Sequence, residues 1–199
     1  MKKMLAVVVS LAMFCTGCST AWVSTLDCLL AAAAPALTNI LQIAAVANGR
    51  PMNSGLATKI SADAAAIKTL AGDFARVSKE SAPGVCHALT AALNVYESDQ
   101  QLVLQVAQVA DPATQMKIKL LTDLVASTIQ AITAVIPSCG APAQGNKVAP
   151  PYNVAGFTES YNAILVAPTG NAAVDAATQN LKLHRHSAFV RAVTLGALQ

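Results

Sequence analysis

Two places in this chain set reactive residue types side by side. Cys86-His87 pairs a thiol with the base that a nucleophilic cysteine needs, and His184-Arg185-His186 offers two imidazoles one residue apart. Neither spacing suits its chemistry. Successive residues of a helix point about 100° apart, so His87 would not face Cys86, and no acidic residue is placed to orient it. Histidines two apart share a face on a strand but diverge on a helix, where joint metal ligation needs a spacing of three or four. With Lys182 and Arg191, the second cluster reads instead as a basic tail whose histidines titrate near neutrality. Such a tail suits anionic headgroups or an acidic partner, and a plain solvated helix face has the same composition. Gly-x-Ser-x-Gly, glycine-rich phosphate loops, His-Glu-x-x-His and paired carboxylates at helical spacing do not occur. The expectation is a protein without enzymatic activity, cofactor or metal.

The cysteine with the most definite context is Cys18. Lys2-Lys3 is followed by an apolar run from Met4 to Phe14 and then by Cys15-Thr16-Gly17-Cys18-Ser19. A basic start, a short apolar stretch and small residues form the three parts of an export signal, and the stretch is shorter than the about 20 residues of a membrane span. Cys15-Thr16-Gly17-Cys18 resembles the lipobox of bacterial lipoproteins, with Cys15 where that family usually has leucine. The resemblance implies that residues 1–17 are removed and that the Cys18 thiol carries a diacylglycerol. In a host with two membranes, Ser19 in place of aspartate implies the periplasmic face of the outer membrane. Cleavage after Ser19-Thr20-Ala21, giving a soluble protein that begins at Trp22, is the alternative.

Composition narrows the class further. Without the leader about 180 residues remain, enough for one domain around a single core. Lys2 and Lys3 supply two of the three net positive charges, so the mature chain is close to neutral. That argues against a nucleic-acid binder, which must neutralise many phosphates. Only 12% of residues are charged and 4% aromatic. Small side chains in such proportion favour closely packed helices and a weakly polar surface prone to association.

Apolar periodicity then divides the chain into helices. Residues 22–48 carry Leu26, Leu29, Leu30, Ala33, Leu37, Ile40, Leu41 and Ala44 at helical spacing, with Pro35 expected to kink or divide them. No charge occurs from Cys28 to Gly49, yet Thr38, Asn39, Gln42, the proline and the alanines favour a buried helix over a membrane span. A second helix over 57–80 turns Ile60, Ala64, Ile67, Ala71, Phe74 and Val77 inward, with Lys59–Asp63 and Arg76–Glu80 as outer pairs. A third over 85–110 presents Asn94, Glu97, Gln101, Gln105 and Gln108 to solvent, opposite Leu89, Leu93, Tyr96, Val103 and Ala107. Asp111-Pro112 opens a fourth that Pro137 ends, with Ile118, Leu121, Val125, Ile129, Ile132 and Val135 inside. After an irregular Pro/Gly stretch, Phe157, Tyr161, Ile164 and Leu165 mark a short helix, and Asn171 caps a last one reaching about Leu198.

Four segments of similar length with short connections predict an all-α, up-down-up-down four-helix bundle over 18–137. A linker over 138–156 and a C-terminal helical segment over 157–199, packing back on the bundle, complete the chain. Such a bundle gathers Cys18, Cys28, Cys86 and Cys139 at one end, where Cys86 and Cys139, both at helix ends beside prolines, are the favoured disulfide pair. The composition is similar to that of small alanine-rich helical envelope lipoproteins. The expected role is a lipid-anchored structural or protein-interaction module, meeting an envelope protein or itself. A binder of lipid or another apolar small molecule between the helices is the alternative. Acylation of Cys18 would turn the cysteine end to the membrane and leave the end at 50–55 and 110–112 for partners.

Overall fold

The computed structural model describes residues 2–74, 76, 82–135 and 154–183, and within them all regular structure is helical. Six helices follow one another: α1 (Lys2–Ala47), α2 (Ser54–Phe74), α3 (Ala82–Val106), α4 (Pro112–Val135), α5 (Val154–Val166) and α6 (Ala172–Gln179).

Helix α1 is the element the others touch. It packs against each of the remaining five, which explains how a stretch free of charge becomes an interior helix. Leu29, Ala33, Ala36, Leu37, Ile40 and Ile43 are all sealed from solvent. Leu26–Ala47 is long and apolar enough to cross a membrane by length and composition, but 61% of that window is buried inside the protein. Pro35 does not divide the helix, which runs unbroken from Lys2. Pro35 and Ala31 both lie on its exposed side, so the Ala31 carbonyl, which loses its helical donor at Pro35, lies on the side open to water.

The ends of the helices follow from their capping residues. Gly49, at φ +59°, closes α1 as only a residue without a Cβ does cheaply, and Arg50 N–H reaches back to Ala45 O (2.9 Å) while Gly49 N–H reaches Val46 O (3.1 Å). Asn53 Oδ1 accepts from Leu56 N–H (3.0 Å) at the start of α2, and Asp111 Oδ2 accepts from Thr114 N–H (2.9 Å) at the start of α4. At α6, Asn171 accepts from the amides of Ala173 and Val174. That last helix stops at Gln179, well short of the expected Leu198: the Asn180 amide turns back to Ala177 and Thr178, the Leu181 amide to Thr178 O (3.2 Å), and residues 181–183 lie outside any helix.

Packing pairs α2 with α1 and α3, α4 with α1 and α3, and lays α5 and α6 over α1, with α5 also on α4. The core faces read from periodicity are the faces buried: Leu26 through Ala44 on α1, Ile60, Ala64, Ile67 and Ala71 on α2, Leu89, Leu93, Tyr96, Val103 and Ala107 on α3, and Ile118, Leu121, Val125 and Ile129 on α4. Ile132 and Val135 lie in α4 but outside the described side chains, and Phe74 is half-buried. Buried threonines disturb little, since Thr122 and Thr128 donate to carbonyls of their own helix at Ile118 (2.8 Å) and Leu124 (2.9 Å).

Candidate functional site

Cys86 sits in the first turn of α3, 2% exposed, and its sulfur is committed to a disulfide. His87 beside it points out into solvent. The pair that looked most like a nucleophile and its base is therefore a structural bond next to a solvated ring. Cys28 is a free thiol, half-buried on α1. Burial first, and the Asp27 carboxylate second, push its pKa up and keep it protonated. Cys18 lies within α1 but outside the described side chains, and Cys139, His184, Arg185, His186 and Arg191 lie outside the described residues. Lys182 is exposed on the non-helical segment after α6. Among the described residues no group of three or more His, Cys, Asp and Glu side chains could hold a metal ion.

Three polar clusters join elements distant in sequence. The first lies between α2 and α3. Lys59 Nζ stands 2.7 Å from Asp63 Oδ2, the helical pair read from spacing, but also 2.6 Å from Asp99 Oδ1 on the next helix. Asp99 is 1% exposed, and its Oδ2 and the hydroxyl of Tyr96 are buried without a hydrogen-bond partner. Burial drives the Asp99 pKa up despite Lys59, whereas Lys59 draws that of the outer Asp63 down.

The second cluster ties α5 and α6 to α4. Lys117, 5% exposed, donates to the last-turn carbonyl of Leu165 (2.8 Å) and lies 3.8 Å from Asp175 Oδ1. A cation at the C-terminal end of α5 meets the negative end of that helix. Asp175 is itself held by the amides of Thr169 (2.9 Å) and Gly170 (3.2 Å) and by the Thr169 hydroxyl (2.9 Å), which keep its carboxyl below the usual range.

The third pins the tail. Asn162 on α5 accepts from Leu183 N–H (2.8 Å) and donates to Leu183 O (2.9 Å), matching both backbone groups of one residue as a neighbouring strand would. Asn39 Nδ2 donates to Leu181 O (2.7 Å), and the buried Tyr161 hydroxyl donates to Ala36 O (3.2 Å).

Sequence reasoning missed Asp99 and Lys117 as interior charges. A signal was present: Asp99 lies three residues after Tyr96 and four before Val103, and Lys117 adjoins Ile118, all on core faces. In the first two clusters charge meets charge, backbone or hydroxyl inside the fold, and in the third neutral amides and a phenol meet backbone. The chemistry on offer is ion pairing, helix capping and proton exchange. No protein-family model, curated protein or solved structure matches the chain. The structure itself defines the class, an all-helical protein with interior polar groups that join helix to helix.

Proposed function

We propose that this protein is a non-enzymatic, lipid-anchored component of the cell envelope whose helices form a structural or interaction module. One observation carries the interaction reading: α3 exposes Val95 (45%), Leu102 (42%) and Val106 (46%) at spacings of seven and four, the anchor pattern by which one helix meets another. The leader and Gly17-Cys18 support the anchor. A second copy of the chain or an envelope protein is the partner, and no nucleic acid is involved.

The first four helices form an up-down-up-down bundle in this reading, supported by the ties between neighbours. Lys68 reaches Asp27 (2.7 Å), Lys59 reaches Asp99 (2.6 Å), and Gln100 Nε2 donates to Thr122 O (3.2 Å). Asn48 Nδ2 donates to Gln108 O (2.9 Å), which sets α1 and α3 side by side with an offset of 60 residues. Cys86 then stands level with Leu26, about 12 Å along the axis from Cys18. A disulfide needs its Cα atoms about 4.4–6.8 Å apart. Cys28 is free, so Cys139, just beyond α4, is the partner we assign to Cys86. With Cys18 acylated, about 12 Å of helix separates the lipid from the first core residue, and the cysteine end faces the membrane.

The mass of the mature N-terminus tests the anchor. A diacylglyceryl Cys18 is the expected result, and a free Trp22 overturns it. Native mass spectrometry after gentle extraction tests the module: a defined oligomer that Leu102→Glu dissociates supports self-association, whereas a co-purifying amphiphile supports a binder of apolar small molecules instead.

A further inference from the structure

The α2–α3 seam holds two carboxylates, one ammonium and one phenol in an arrangement that its ion pairs do not complete. Lys59 Nζ lies between Asp63 Oδ2 (2.7 Å) and Asp99 Oδ1 (2.6 Å), so the fully ionised cluster keeps one uncompensated negative charge. Both carboxyl groups contact the same ammonium, which brings them together across the seam. Asp99 is 1% exposed and its Oδ2 has no partner, nor has the hydroxyl of the fully buried Tyr96 one turn earlier. Burial and both carboxylates hold that phenol neutral. Helix α1, which packs on both α2 and α3, has no charged residue between Asp27 and Arg50. On α4, the remaining neighbour of α3, Lys117 is bound to Leu165 O and Lys119 to Asp123. Among the described residues, no other cation forms an ion pair with either carboxylate.

We propose that Asp63 and Asp99 form a proton-binding site that latches α2 to α3. One proton from solvent enters past the half-buried Asp63, bonds to a carboxyl oxygen of Asp99 and is shared with Asp63, while Lys59 stays charged. The cluster becomes neutral and an O–H···O bond replaces the repulsion of two anions. Desolvation of Asp99 favours its acid form and the Lys59 bond favours ionised Asp63, so the proton rests on the inner carboxyl.

The consequence for stability has a definite sign. A carboxyl whose folded pKa lies above the ordinary value binds protons better folded than unfolded, so its contribution grows as pH falls through that raised value towards 3.8. Asp63, shifted the other way, opposes this only below 3.8. The seam is tightest in mildly acidic surroundings and loosens towards neutrality.

Carboxyl-carbon NMR titration of the whole chain, with the denaturant midpoint followed from about pH 8 to about pH 4, tests the latch. The expected result is an Asp99 signal that titrates above the usual carboxylate range, coupled to Asp63, and a midpoint that rises on acidification in the parent but not in Asp99→Asn. An Asp99 signal at or below the usual range overturns the proposal, as does an unchanged pH slope in Asp99→Asn. Should that variant not fold, the titration of the parent chain decides alone.

Discussion

Lys117 illustrates how a single side chain can hold a junction together. Its ammonium, 5% exposed, reaches the Leu165 carbonyl and Asp175 across two other helices, and burial lowers its pKa because desolvation outweighs the help of Asp175. Lys117→Met should fill similar volume yet leave that carbonyl without its donor, lowering stability by about 1–3 kcal/mol. The loss is read as a lower denaturant midpoint with the fold otherwise intact. The same shift carries a pH signature. A lysine that loses its proton more readily folded than unfolded makes stability rise as pH climbs through the folded value towards 10.5, and Lys117→Met should remove that rise. The Tyr161 hydroxyl is a simpler case: it donates to Ala36 O from a fully buried position, so Tyr161→Phe should cost about 1 kcal/mol.

At the scale of elements, α1 sets the terms. A proline inside a helix usually breaks it, but Pro35 lies on the exposed side of a helix whose other face is clamped by five neighbours. Tertiary burial overrides the local penalty without cancelling it. Pro35→Ala should therefore stabilise the protein, by an amount approaching the about 3 kcal/mol that separates the two residues in helix interiors. A raised thermal midpoint is the expected observation, and a lowered one would show that the ring packs against something essential. At the end of α2, Arg76 pairs with Asp73 (3.0 Å), while Glu80, its expected partner, lies outside the described residues.

For the whole molecule, the disulfide at Cys86 is the covalent constraint on the helical body. With Cys139 as partner it closes a loop of about 50 residues and contributes roughly 4 kcal/mol in the chain-entropy treatment. Reduction should lower the unfolding midpoint accordingly, and non-reducing peptide mapping should recover Cys86 joined to Cys139 with Cys28 free. A Cys86 peptide joined to Cys18 instead would overturn both the pairing and the acyl anchor at once.

How far the sequence alone reached is clearest from the core. Leu29, Ile40, Ile67, Leu89, Leu121 and Tyr161 were placed inside by their helical spacing, and all are buried. The solvent stripe Asn94, Glu97, Gln101, Gln105 and Gln108 is exposed as its spacing implied. Periodicity, caps and breakers are local properties, and the energy of burying one face of a helix is written along that helix. The interior charges were another matter. Asp99 is buried because Lys59 arrives from 40 residues away, and Lys117 because the end of α5 arrives from 48 away. Desolvating a charge is tolerable only beside a partner, and which partner stands there is a property of how helices meet. Helices and their buried faces were thus determined by the sequence itself, whereas several of their ends, Gln179 of α6 among them, were not. Which polar groups share the interior, and with what protonation, was decided by the tertiary structure alone.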